Sequence, residues 1–141
     1  MIGVGNELRG DDAVGLHVAR ALAGEAEVRE FHGEPIGLID SWAGYDRAIL
    51  ADATESGAEP GTIRRIAAHE AALPPELRRA STHLLGVAEA VELARALNRL
   101  PAQTIVYGIE GACFDTGAEL SPEVAAAAET VARAIREELG P

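Results

Sequence analysis

Two rhythms of apolar residues alternate along the chain. Short, nearly unbroken apolar runs read as strands at residues 1–5 (MIGVG), 47–52 (RAILAD) and 103–110 (QTIVYGIE). Residues 27–32 (EVREFH) read as a half-buried strand, and 61–68 (GTIRRIAA) as another, bounded by Pro60 and Gly61. Between these runs the spacing changes to three and four. Residues 11–24 carry Val14, Val18, Ala21 and Leu22 at helical spacing until Gly24 stops them, and 37–45 form a helical turn. Residues 81–98 open on a Ser/Thr cap, and Leu84, Ala88, Val91 and Arg95 trace the faces of a helix. The last helix, 121–139, has Ser121 as its cap and Pro122 at the first helical position, where a missing N–H costs nothing; Val124, Ala128, Val131 and Ile135 form its buried stripe. Residues 68–80, with Pro74 and Pro75, read as a surface excursion.

Strands alternating with helices predict an α/β fold of three layers: a mostly parallel, twisted sheet of about five strands with helices on both faces. A length of 141 residues suits a single domain, 1–141, with a core of its own, and no internal repeat or low-complexity linker divides it. Aromatic residues are only 4% of a chain that is 48% hydrophobic, so Ala, Leu, Val and Ile must fill that core.

Charge then removes whole classes of partner. With 23 acidic and 12 basic residues the formal charge is −11, which repels phosphate backbones and anionic membrane surfaces, so neither nucleic acid nor a membrane is expected as a partner. No apolar run approaches the ~20 residues of a membrane span, and no signal peptide is legible ahead of the first strand. The single cysteine, Cys113, cannot close an internal disulfide. Together these features lead us to expect a cytoplasmic protein, with Cys113 an ordinary thiol.

Ligands of open parallel sheets bind beyond the carboxyl ends of the strands. That rim should hold Asp11 and Asp12 after the first strand, His32 after the second, Asp52 at the end of the third and Glu110 at the end of the last, with His83 at a helix start that could share the edge. The stretch GNELRGDDAVG (5–15) can be read three ways. As a dinucleotide fingerprint it fails, because Leu8 stands where the third glycine of G-x-G-x-x-G belongs and two carboxylates would repel a pyrophosphate from the helix start. As plain helix chemistry, Asp11 caps and Asp12 complements the dipole. As a metal seat, Asp12 joins Asp52 and His83, two carboxylates and an imidazole that leave open coordination positions on a divalent ion. Asp52 could equally be a structural strand-end acid, and His83 a backbone-bonded histidine. Of the remaining histidines, His17 lies inside the first helix and His69 in the surface excursion, whereas His32 ends a strand at the rim and could touch a substrate.

The segments GVGNELRGDDAVG, HGEPIGLID, AILADAT, STHLLGVAEAVELA, YGIE and LSPEV, in that order, resemble the hydrogenase maturation proteases, the endopeptidases that trim the C-terminal tail from the large-subunit precursor of nickel-iron hydrogenases. The likeness runs from the first residue to about residue 136. It implies an α/β fold with a twisted sheet and a metal-sensing cleft whose ligands fall on Asp12, Asp52 and His83. It also implies that the nickel comes with the precursor, no organic cofactor being held, and that cleavage follows a His or Arg near the precursor's last cysteine motif. Ala13 stands where many relatives have Gly, the first ligand is Asp where some carry Glu, and the first strand is shorter than in relatives, as though its beginning were lost or its sheet edge frayed.

No Ser-His-Asp or Cys-His arrangement and no H-E-x-x-H helix is legible, so hydrolysis is expected to draw on the ion. Asp12, Asp52 and His83 would engage the precursor's nickel and align the scissile peptide, while the ion polarises the carbonyl or acidifies a water. The loops HGEP and GIEGACFDTGAEL would bracket the cleft, and activity would fall as His83 protonates. The protein is expected to meet its precursor as a monomer. The rival expectations are a non-catalytic, metal-dependent checkpoint or chaperone of hydrogenase assembly and, further off, a dinucleotide-binding domain.

Overall fold

A computed structural model of the chain describes residues 1–32, 35–74 and 87–140, and of Pro35 only the backbone. Among these are five strands, β1 (Ile2–Val4), β2 (Arg29–Phe31), β3 (Arg47–Thr54), β4 (Ile63–Ala67) and β5 (Gln103–Glu110). Four α-helices accompany them: α1 (Val14–Ala21), α2 (Pro35–Ser41), α3 (Val87–Ala96) and α4 (Pro122–Leu139). The strands form one sheet in the order β2-β1-β3-β5-β4, parallel except for β4, which runs antiparallel to β5 along one edge. This is the expected three-layer α/β fold. No described helix is long and apolar enough to cross a membrane.

The period-two alternation of β3 separates the two cores. Ala48 and Leu50 join Leu38 and Ile39 of α2, Trp42 just after it, and Val87, Ala90 and Val91 of α3 on one face. Ile49, Ala51 and Ala53 join Val14 and Val18 of α1 and Val124, Val131 and Ile135 of α4 on the other. The central strands are therefore apolar on both faces, as parallel strands under two helical layers must be. All four residues of the stripe read in the last helix are buried. In α1 the stripe is wider than its spacing suggests: Leu16 and Ala19 are buried and Ala21 is exposed, because the helix sits between the sheet and α4.

Close backbone approach sets where α1 begins. A Cβ on Gly15 would lie 2.3 Å from the Ala51 carbonyl oxygen and 2.4 Å from that of Val4, so only glycine lets the helix rest on β1 and β3. This contact brings the turn preceding α1 to the carboxyl ends of the two strands.

Candidate active site

The residues GDDA (Gly10–Ala13) form a 3₁₀ turn ahead of α1 rather than the first turn of the α-helix itself. A 3₁₀ turn advances about 120° per residue, so neighbouring side chains leave it on different sides. That geometry separates the two aspartates. Gly10, at φ +53°, enters the turn in the left-handed region, and a Cβ there would lie 2.4 Å from the Cys113 carbonyl oxygen.

Asp11 does not cap the helix. Its carboxylate, 0% exposed, accepts the backbone N–H groups of Ala112 (2.7 Å), Cys113 (2.9 Å) and Ser121 (2.7 Å) and the Ser121 hydroxyl (2.7 Å). Its own N–H donates to the Cys113 carbonyl at 2.8 Å. Burial raises the carboxyl pKa, but the four donated hydrogen bonds outweigh it and hold Asp11 below the ordinary carboxylate range. Asp11 thus fastens the loop between β5 and α4 to the turn. Ser121, read as a helix cap, makes no side-chain capping bond; its hydroxyl goes to Asp11 while its carbonyl accepts Val124 and Ala125 N–H. Pro122 does occupy the start of the helix.

Asp12 takes the other direction and lines a cleft of about 400 Å³ with Asn6, Glu7, Leu8, Arg9 and His32. It is 1% exposed, its N–H donates to the Arg9 carbonyl, and its carbonyl accepts Asn6 N–H at 3.3 Å. Ala13 has ordinary right-handed helical backbone, φ −83° and ψ −3°, so the turn tolerates the Cβ that stands in place of glycine.

Asp52 sits in β3 two residues after Leu50, on the α2 and α3 face, and is 5% exposed. Its carboxylate accepts the Ala53 N–H at 2.9 Å. It lines a cavity of about 30 Å³ with Thr54, Leu73, Val87, Ala88 and Gly108, so the described start of α3 lies beside it. The β1 register, Ile2 with Leu50 and Gly3 with Ala51, brings Asp52 level with Val4. Two residues beyond Val4, Asn6 binds the Asp12 backbone. Asp12 and Asp52 therefore both border the carboxyl end of β1. His83 lies outside the described residues, four positions before Val87. Among the described residues no group of three His, Cys, Asp or Glu side chains could hold a metal ion.

The other candidates divide. Glu110 is buried and accepts Thr54 Oγ1 (2.9 Å), Ser56 Oγ (2.6 Å) and Ser56 N–H (2.8 Å), which fixes the turn after β3. His17 is exposed, and His69 Nδ1 accepts Thr104 N–H at 3.0 Å, a structural bond at the start of β5, away from the rim. Cys113 is half-buried in the loop that Asp11 holds. His32 is exposed, and its Nδ1 lies 2.7 Å from the Gly5 carbonyl oxygen.

The chain is similar to proteins of one family. The profile of the hydrogenase maturation protease family (HycI) matches residues 32–138. The hydrogenase 2 maturation protease of Escherichia coli is 29% identical over 150 residues, covering 97% of this chain and 90% of that protein. The hydrogenase expression/formation protein HupD of Thiocapsa roseopersicina is 25% identical over 131 residues, covering 88% of this chain, which spans only 59% of HupD. Among solved structures, the [NiFe] hydrogenase maturation protease HybD of Thermococcus kodakarensis superposes with a TM-score of 0.76 at 29% identity, over 99% of this chain and 97% of that one. On the extent of the profile match, this chain belongs to the hydrogenase maturation protease family.

Proposed function

We propose that this protein is an endopeptidase that removes the C-terminal extension from the nickel-loaded large-subunit precursor of a nickel-iron hydrogenase, recognising the nickel that the precursor carries. The observation that carries this reading is the pair of buried carboxylates, Asp12 and Asp52, bordering one end of β1 and each lining a cleft. Two carboxylates near the rim where α/β sheets bind ligands, each lining space that another molecule could fill, make a seat for a cation. Carboxylate oxygens, with the imidazole of His83 as third donor, suit a divalent first-row ion. Three protein donors leave coordination positions for the precursor's own groups.

In this reading Asp12 enters from the turn before α1 and Asp52 from β3, and His83 completes the set from the chain ahead of α3. Asp12 and Asp52 hold the loaded end of the precursor against the rim and thereby place the scissile peptide. The cavity beside Asp52 has room for one water, which the carboxylate would orient for attack. The substrate's ion supplies the electrophilic assistance, by polarising the carbonyl or acidifying the water.

The test is the mass of the precursor after incubation with this protein. Loss of a C-terminal peptide from the nickel-loaded form, and none from the nickel-free form, is expected. Tight binding of the loaded form with no change in mass would replace the protease by an assembly checkpoint.

A further inference from the structure

We propose that His32 binds the polypeptide substrate directly, its Nε2 accepting a hydrogen bond from an N–H of the segment lying in the cleft beside Asp12. The proposal rests on the reading of that cleft as the place where a precursor is cut. It concerns a residue outside the Asp12, Asp52 and His83 set.

The tautomer of His32 follows from its neighbour. A backbone carbonyl can only accept, so the 2.7 Å contact between Nδ1 and the Gly5 oxygen requires the proton on Nδ1. In the neutral ring the lone pair is then on Nε2, at the far side of the imidazole. The ring is held where two strands end together, since Gly5 N–H donates to the Phe31 carbonyl at 3.1 Å and His32 follows directly. A fixed ring with its acceptor turned away from the backbone bond is preorganised for a partner that donates. The residue is exposed and lines the same cleft as Asp12.

The cleft's other wall shows what kind of molecule it fits. The turn 6–9 satisfies its own backbone: Leu8 N–H donates to Asn6 Oδ1 at 2.9 Å, Arg9 N–H to the Asn6 carbonyl, and the Leu8 carbonyl accepts Gly117 N–H at 2.8 Å. That closed turn leaves the Leu8 side chain 66% exposed over the cleft. An exposed apolar side chain and a lone-pair acceptor lining one cleft match an extended peptide, which offers a backbone N–H and an apolar side chain within a residue of each other. Glu7, which also lines the cleft, is paired with Arg20 at 2.9 Å.

The test uses the whole protein, labelled with ¹⁵N at histidine, and a synthetic peptide spanning the cleavage site of the precursor. Long-range ¹H–¹⁵N spectra at alkaline pH should show His32 protonated at Nδ1, and its Nε2 resonance alone among the described histidines should move on peptide addition. An Nε2-protonated ring, or an Nε2 resonance unmoved at saturating peptide, would overturn the proposal. In steady-state cleavage of nickel-loaded precursor, His32→Asn keeps an amide nitrogen near the Nδ1 position and removes the acceptor. It should raise KM about tenfold, the size of one lost hydrogen bond, with kcat nearly unchanged. His32→Gln, which restores an amide near Nε2, should recover part of that loss, and Leu8→Ala should raise KM by a smaller factor. An unchanged KM in His32→Asn, or a fall in kcat alone, contradicts direct binding. If the wild-type protein shifts its Nε2 resonance with peptide yet never cuts the loaded precursor, the protease reading fails while the His32 contact stands.

Discussion

Asp11 and Asp12 are chemically identical, adjacent and both buried, yet they belong to different parts of the molecule. Asp11 is surrounded by three backbone N–H groups and a hydroxyl from residues 112–121 and sets that loop in place. Asp12 faces a cleft it shares with His32 and Leu8. Glu110 at the end of β5 and Asp52 two residues before the end of β3 repeat the division, one fastening the turn at Ser56, the other lining a cavity. Burial of an acid at the rim is thus no mark of chemistry by itself. The mark is whether it also lines space for another molecule, as Asp12 and Asp52 do.

The comparison can be broken most sharply by removing the cleft acids. Asp12→Asn and Asp52→Asn should each lower cleavage of loaded precursor by about 100-fold or more, the scale of losing a group that acts electrostatically in a closed site, with little change in thermal midpoint. A rate loss matched by Asp11→Asn at unchanged stability would erase the distinction. Next in size is Asp11→Ala, which strands three N–H groups. It should cost about 3 kcal/mol in urea unfolding, since each unsatisfied buried donor costs about 1–3 kcal/mol. Gly15→Ala should destabilise by about 1–3 kcal/mol, as overpacking does, and should also slow cleavage by moving the Asp12 turn off β1 and β3.

A smaller effect separates the acids by pH. Because the folded state holds the Asp11 pKa below its unfolded value, Asp11 stabilises the protein fully above about pH 4, the unfolded carboxyl pKa, and loses that contribution as pH falls through the folded value. The stability gap between wild type and Asp11→Asn should therefore be constant near neutrality and shrink in acid. Smallest is a control on the opposite face of the sheet from Asp52. Tyr107 donates to Glu138 at 2.7 Å, and burial first, then that bond, pushes its pKa up to about 12. Tyr107→Phe should cost about 1 kcal/mol and leave cleavage unchanged.

Apolar period and Pro122 at a helix start made the layers legible: the strands, the stripe of Val124, Ala128, Val131 and Ile135, and the mostly parallel sheet all follow from local pattern. The antiparallel placement of β4 does not, because a strand's direction is fixed by its connections rather than its composition. The rim rule was enough to bring Asp12 and His32 to one cleft, while Asp52 lines a separate cavity. The work of Asp11 was not readable, since its donors lie 101 to 110 residues away and GDD carries the same local signals as a helix start. Ser121 misleads for the same reason: a serine before proline looks like a cap until a distant carboxylate takes its hydroxyl. The tie from His32 to Gly5 likewise spans 27 residues.

The central claim is that Asp12 and Asp52 respond to the ion carried by the substrate. The direct test is the affinity of nickel-loaded and nickel-free precursor for wild-type protein, Asp12→Asn and Asp52→Asn, measured in the initial binding phase before turnover. The account predicts that wild type binds the loaded form more tightly, and that either substitution removes the difference while leaving affinity for the nickel-free form unchanged. A preference for the loaded precursor that survives both substitutions would contradict it.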